Sequence, residues 1–470
     1  MEQTLSKAYR RMQGLLLALA GVIALDQTLL SLLVLAALVA GLRLAWLERK
    51  ERPLPRLWPR GLKVAALLLL ADAYLSLHSP VNAHRSVTTF NFFYVVGQYV
   101  VVVWLVSRFG NYFSGRASLF GRDREAGRET KQAAGIPSGG NGTGSTLAGR
   151  WRCFRRAPFP LQILGVLAGV AAFVLLGGLA QHVFGGATDA LWVDKTANPL
   201  LRNRVFSTWE NPNIFAGYVC ALAAYLMGFI SVERNSRRRW GLFGFLLAAL
   251  LCLVYSFSRG FWAAMAGELV VFVLCFYRRG IIYLIGTAAA AAALAGPAVW
   301  QRLATLQHIG SDSSAAMRLA YLDIAEAIVK DHPLGIGWYN YRYIFPEYDY
   351  YFKNPDVIMY HCHNLFLNVA AELGVQGLVL FLVVWLVFLY IAWRLQRSAR
   401  FPWIRALGRG YLLLSLGMCI GGIADHVFFN VRLGVLFWLL STLLLLGRQY
   451  NQYGPEPDPD PDRGARKQEL

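Results

Sequence analysis

Long apolar runs separated by short charged segments dominate the chain. Runs at residues 9–25, 28–46, 62–78, 87–107, 159–182, 213–231, 241–257, 261–277, 281–299, 365–393, 410–425 and 433–447 approach the ~20 residues that cross a hydrocarbon core. Most of these runs are apolar on every face, as in helices surrounded by protein and lipid rather than by water. The pattern predicts an all-α integral membrane protein of about twelve transmembrane helices. Two polar stretches interrupt it. Residues 108–158 are rich in Arg, Gly and Ser and carry too few apolar positions to bury a core, which predicts a linker. Residues 300–363 form a larger insertion between the ninth and tenth runs. Within it, Met317 to Val329 has apolar residues at helical spacing, and Asp331, His332 and Pro333 end that segment. The chain therefore divides into helices at 1–107, a linker at 108–158, helices at 159–299, a loop at 300–363, helices at 364–447 and a tail at 448–470.

Composition supports this division. Of 470 residues, 56% are hydrophobic and only 16% charged, against roughly a quarter charged in soluble domains. Lys7, Arg10 and Arg11 precede the first run, and Asp26 and Gln27 lead directly into the second, which predicts an uncleaved first helix. The net charge of +19 does not point to nucleic acid, because Lys and Arg gather in alternate short loops. The positive-inside rule then places both termini and the linker in the cytoplasm and the 300–363 loop outside. Cys220, Cys252, Cys275 and Cys419 fall within runs and Cys153 inside, which leaves Cys362 alone on the outer side. No disulfide framework is expected. Asp458, Asp460 and Asp462 alternate with prolines and read as a solvated tail.

The outward side carries little basic charge, yet Arg204, Arg259, Arg318 and Arg432 sit at or near span ends. A guanidinium is charged at every accessible pH and presents a planar fork suited to phosphate. The alternative role is an interfacial anchor. Arg259 stands out, in a tight Ser258-Arg259-Gly260 turn without a nearby acid in sequence. His363, just before the tenth run, supplies a group able to take a proton near neutral pH. Gly374 and Gly377 on that run would let a neighbouring span approach closely. His361-Cys362-His363 is a possible metal clip and Glu347 with Asp349 a carboxylate pair. Neighbouring residues of this kind rarely converge on one ion without further ligands, so no metal and no cofactor are expected.

Together these residues resemble the O-antigen ligase superfamily, which also includes O-antigen polymerases and bacterial O-linked oligosaccharyltransferases. His363-Asn364-x9-Gly374-x2-Gly377 is similar to one family motif and Arg318-x3-Leu322 to another; Asn211-Pro212-Asn213 and Ser258-Arg259-Gly260 resemble further segments. The resemblance is most like an O-antigen ligase. It implies a GT-C type glycosyltransferase of the bacterial inner membrane, with its active site on the periplasmic face. Such an enzyme moves a glycan from an undecaprenyl (polyprenyl) diphosphate carrier to an acceptor hydroxyl such as that of lipid A–core, with inversion and without metal. It further implies that His363 activates the acceptor, that Arg204, Arg259 and Arg318 hold the diphosphate, and that Asn213, Leu322, Asn364, Gly374 and Gly377 support them. The partners so implied are the lipid-linked glycan, a lipid or glycan acceptor and membrane lipids.

Polymerase and oligosaccharyltransferase share this donor chemistry and differ in acceptor. A lipid-linked glycan flippase or other transporter would instead show polar residues along several spans. Here Asp26, Asp72 and Glu268 are scattered and the charge collects at one face, which favours a transferase.

Overall fold

The computed structural model describes residues 2–47, 57–119, 154–155, 157–185, 204–282, 313–351 and 358–454, with scattered positions between 285 and 300. The described residues are helical throughout, without strands. The helices are α1 (Glu2–Val22), α2 (Gln27–Leu47), α3 (Arg60–Ser76), α4 (Arg85–Leu119), α5 (Phe159–Phe184), α6 (Pro212–Ile230), α7 (Ser236–Tyr255), α8 (Arg259–Val271), α9 (Ser313–Asp331), α10 (Leu365–Ser398), α11 (Pro402–Ala424) and α12 (Val431–Tyr453). Helix α8 continues through a π turn at Phe272–Phe276.

Nine helices among the described residues are long and apolar enough to cross a membrane. The protein is therefore a multi-pass membrane protein. Of the remaining expected spans, the first and third form α1 and α3. The ninth, at 281–299, lies largely outside the described residues, as do most of the linker, the loop around Arg202, residues 301–312 and the tail.

Helix α2 shows why an all-round apolar sequence suits this environment. Leu30, Val34, Ala37, Gly41 and Leu44 are buried, while Leu29, Leu32, Leu35, Val39 and Leu42 form an exposed apolar stripe suited to lipid. The centre of the bundle differs. In α6 and α12, 83% of the apolar window is buried, and in α11 67%, against 28% for α2, α5 and α7. Helix α11 packs on α6, α8 and α10, and α12 on α4. At Gly228 of α6 a Cβ would stand 2.5 Å from the Ala406 carbonyl oxygen and 2.8 Å from Gly410 N, so these two backbones meet directly. Buried hydrogen bonds from Trp385 Nε1 to Ser415 Oγ (3.1 Å) and between the Tyr411 and Ser441 hydroxyls (2.9 Å) tie α10, α11 and α12 together.

At one end of the bundle, α9 has a core of its own. Tyr321, Ile324, Ala325 and Ile328 pack with Ile336, Tyr341, Phe345 and Cys362 and against Ala371 of α10. Ile324 and Ile328 are almost fully buried, and each contributes roughly 2 kcal/mol of transfer free energy. This cluster fixes α9 over the N-terminal end of α10.

Candidate active site

Loops at one end of the helices bring the site together. Asn211 caps α6 by accepting from the Asn213 N–H (2.8 Å) and the Ile214 N–H (3.3 Å), and Pro212 opens the helix. Asn213, in the first turn, thereby projects its side chain across the helix mouth. Its Oδ1 accepts from Arg204 Nη2 at 2.8 Å, and its Nδ2 donates to Asp425 Oδ2 at 3.0 Å. The buried Arg204 also donates through Nε to the Ser256 carbonyl at 2.9 Å. Asp425 follows the last residue of α11 and its other oxygen faces His363 Nδ1 at 3.1 Å. Four chain segments thus join in one polar chain running His363, Asp425, Asn213, Arg204 and the Ser256 carbonyl.

A narrow cleft beside this chain is lined by Arg204, Asn213, Arg259, Arg318 and Asp425, with Phe257 to Phe261 and Ala424. Arg259 is the first residue of α8, so the positive helix end adds to its charge. A Cβ on Gly260 would lie 2.6 Å from Ala424 Cβ, which is why the Ser258-Arg259-Gly260 turn can sit against the end of α11. Arg318 reaches the cleft from α9. Leu322, one turn on, lines a groove against Asn364, Phe366 and Leu367 of α10, so the Arg-x3-Leu spacing sets one residue on the cleft and the next on the neighbouring helix. Three guanidiniums and one carboxylate line the cleft, a set of groups suited to an anionic ligand.

His363 sits in the left-handed region (φ 54°), just before Asn364, whose side chain caps α10 by accepting from the Leu367 N–H at 2.9 Å. Tyr321 stacks on the imidazole, ring centroids 5.7 Å apart, and His361 flanks it at 4.4 Å. Ser207, Glu210, Phe257 and Tyr339 also have positive φ. Among the described residues, every such non-glycine lies outside the long helices, at the same end of the bundle as this site, where strained backbone is held in place by its surroundings.

The electrostatics assign the protons. Burial alone would raise the Asp425 carboxyl, but the His363 hydrogen bond and the positive charges of His363 and Arg318 outweigh it and hold it well below the usual carboxylate range. An ionised carboxylate accepts only, so in the neutral His363 imidazole the proton sits on Nδ1, facing Asp425, and Nε2 is the acceptor. The His363 N–H donates to His361 Nδ1 at 3.2 Å. Burial, with positive His363 beside it, pushes His361 well below its ordinary value, and burial lowers His426 to about 4. Both are therefore neutral near pH 7.

The sequence reading of the glycines needs one correction. Gly377 does face a neighbouring span, where a Cβ would lie 2.6 Å from Asp72 Oδ2 of α3. Gly374 instead interrupts α10, with φ 81° and ψ 173°. The opened turn accepts the Ile336 and Gly337 N–H groups at the Ala371 and Glu372 carbonyls (both 2.9 Å), and the Val375 N–H donates to the Pro333 carbonyl at 3.0 Å. A Cβ at Gly374 would stand 2.6 Å from the Leu334 carbonyl carbon. This residue docks the 333–337 segment onto the helix. Arg432 also separates from the arginines of the cleft. It is buried, donates to the Leu25 carbonyl (3.2 Å) and the Thr208 carbonyl (2.9 Å), and lies over the Trp209 ring at 4.7 Å, clasping the α1–α2 turn to α12. Glu347 and Asp349 do not join a metal-like cluster among the described residues. The group that does is His361, His363 and Asp425, with ligand atoms within 4.8 Å of one another. Both Asp425 oxygens are already engaged by protein donors.

Residues 243–382 match the O-antigen ligase protein family. The similarity to the O-antigen ligase family covers this part of the chain. The match runs from α7 into α10 and takes in Arg259, Arg318, His363, Gly374 and Gly377. Arg204 and Asn213 precede the matched region and Asp425 follows it, so the site joins that region to helices on both sides. No curated protein matches the chain. The family match supports the superfamily that the motifs resemble, and the apolar helices mark a membrane protein. Asp425 and His426 were absent from the sequence-derived site. The available signal was an Asp-His pair directly after an apolar run, on the side of the membrane where the arginines gather.

Proposed function

We propose that the protein is an O-antigen ligase-type glycosyltransferase, moving a glycan from a polyprenyl diphosphate carrier to an acceptor hydroxyl such as that of lipid A–core. The observation that carries this reading is the His363–Asp425 pair opening beside a cleft of three arginines. His363 Nε2 takes the proton from the acceptor hydroxyl as its oxygen attacks the anomeric carbon. The bond from that carbon to the diphosphate oxygen breaks on the opposite face, with inversion. The electron pair leaves with the diphosphate. Arg259 and Arg318 bind the departing oxygens, Arg204 adds positive charge behind Asn213, and this stabilisation of developing charge is the largest contribution asked of the protein. Asp425 fixes the tautomer of His363 and stabilises the imidazolium that forms.

The reaction needs no metal in this account, because guanidiniums supply the positive charge and the carboxylate is occupied by His363 and Asn213. The GT-C architecture, about twelve spans with both termini cytoplasmic, the division into linker, outer loop and tail, and an outer-face site in a bacterial inner membrane belong to the same proposal. Its test is turnover of a polyprenyl diphosphate-linked oligosaccharide by the purified protein in nanodiscs. Carrier diphosphate is released with lipid A–core present if the reading holds, and His363→Ala abolishes the release. Wild-type turnover by that variant would overturn the assignment.

A further inference from the structure

Phe429, Tyr339 and Tyr360 come from three separate outer segments and meet outside the packed cores of the bundle. Phe429 stacks almost parallel to Tyr339, with centroids 5.8 Å apart and planes within 5°, and meets Tyr360 at 5.8 Å. Arg342 lies over the Tyr360 ring at 4.6 Å. Tyr360 is 40% exposed, and the other three residues are half-buried. Tyr339 holds a φ of 63°, a costly conformation for a bulky side chain, so its ring direction is imposed by the backbone around it. The ledge leads to the site, since Phe429 packs on His361 at 4.9 Å and His361 on His363 at 4.4 Å.

We propose that the ledge of Tyr339, Tyr360 and Phe429, with Arg342 at its edge, is the subsite for the acceptor's sugar ring. The proposal rests on the glycosyl-transfer reading and deepens it. A pyranose presents a face of C–H bonds that packs on an aromatic face, whose quadrupole is negative there. Its hydroxyls ring the edge, where a guanidinium fork can donate to them. The position also fits the reaction. The arginine cleft reaches His363 through Asp425, and the ledge reaches it through His361. In an inverting displacement the attacking hydroxyl and the leaving diphosphate lie on opposite sides of the anomeric carbon, so the acceptor enters from the side away from the arginines. An interfacial aromatic belt is the plain alternative for such rings. It has no reason to converge on the base.

The test is steady-state transfer in nanodiscs, titrating lipid A–core at fixed polyprenyl diphosphate-linked oligosaccharide and then the reverse. Phe429→Ala and Tyr360→Ala should each raise the ratio of acceptor KM to donor KM about tenfold, roughly the contribution of one good ring contact. Tyr360→Phe, which keeps the ring, should bring the ratio back, with unfolding temperatures matching wild type. An unchanged ratio in folded Phe429→Ala and Tyr360→Ala proteins overturns the subsite, as does a rise in donor KM instead. A wild-type protein that releases no carrier would bring down the transferase reading itself, a result distinct from active variants with unaltered acceptor KM.

Discussion

His363 Nδ1 lies 3.1 Å from Asp425 Oδ1, joining residues 62 positions apart at the mouths of α10 and α11. A carboxylate there favours the tautomer of the neutral ring with its proton on Nδ1 and its lone pair on Nε2. Asp425→Asn keeps the shape but can turn its amide N–H toward the ring and favour the wrong tautomer. Its kcat should fall by roughly 10²–10⁴ with little change in donor KM. His363→Ala should fall at least as far, and the double variant no further, because the two act as one unit. Carrier release measured for the single and double variants checks this.

Arg259 and Arg318 line the cleft, whereas Arg432 holds backbone carbonyls. Arg318→Ala and Arg259→Ala should each lower kcat/KM for the donor by roughly 10²–10³, the usual cost of removing one stabiliser of transition-state charge, while the protein stays folded. Arg432→Ala should instead lower the unfolding temperature. Donor kinetics and thermal unfolding on the same preparations separate the two roles.

Gly374 occupies φ 81° with the Leu334 carbonyl carbon 2.6 Å from where a Cβ would stand. Gly374→Ala therefore meets both backbone strain and a backbone collision, and should cost roughly 1–3 kcal/mol or more. The loss should appear first in the outer loop that docks there. Hydrogen exchange at Ile336 and Gly337, whose N–H groups bond to the opened turn, is the direct readout.

Burial lowers His426 from 6.5 to about 4, and His361 shifts the same way. Between those values the unfolded chain binds more protons than the folded one, so stability rises with pH across the window. The protein should hold its full unfolding temperature above about pH 6.5 and lose it progressively toward pH 4. Asp425, held below the ordinary carboxylate range, titrates outside this window. His426→Gln should flatten the slope without removing it, because His361 remains. Unfolding temperatures at pH 7.5, 6 and 4.5, values chosen to bracket about two units of the linkage, test the sign.

Much of this architecture is legible in the sequence, because a membrane span is a local property of composition and length. The arginine cleft is partly legible too, since Arg204, Arg259 and Arg318 stand out as cations on a sparsely charged face. Arg432 looks the same in sequence and has a different role. Only the fold shows that its partners are the Leu25 and Thr208 carbonyls. Asp425 was hidden because it ends an apolar run far from His363, and its meaning arises only when α6, α10 and α11 converge. Gly374 reads as a small residue for helix packing, whereas its positive φ depends on a loop arriving from residues 333–337.

In the proposed reaction His363, oriented by Asp425, drives metal-free transfer from a lipid diphosphate. The most direct measurement is product and carrier release by the wild-type protein and Asp425→Asn in nanodiscs, with a chelator present and polyprenyl diphosphate-linked oligosaccharide as donor. The account predicts a single glycan addition that requires lipid A–core, undiminished by chelator in the wild type and slowed at least a hundredfold in Asp425→Asn, the low end of a base contribution of roughly 10²–10⁴. Loss of wild-type turnover in chelator, or full turnover by Asp425→Asn, would contradict it.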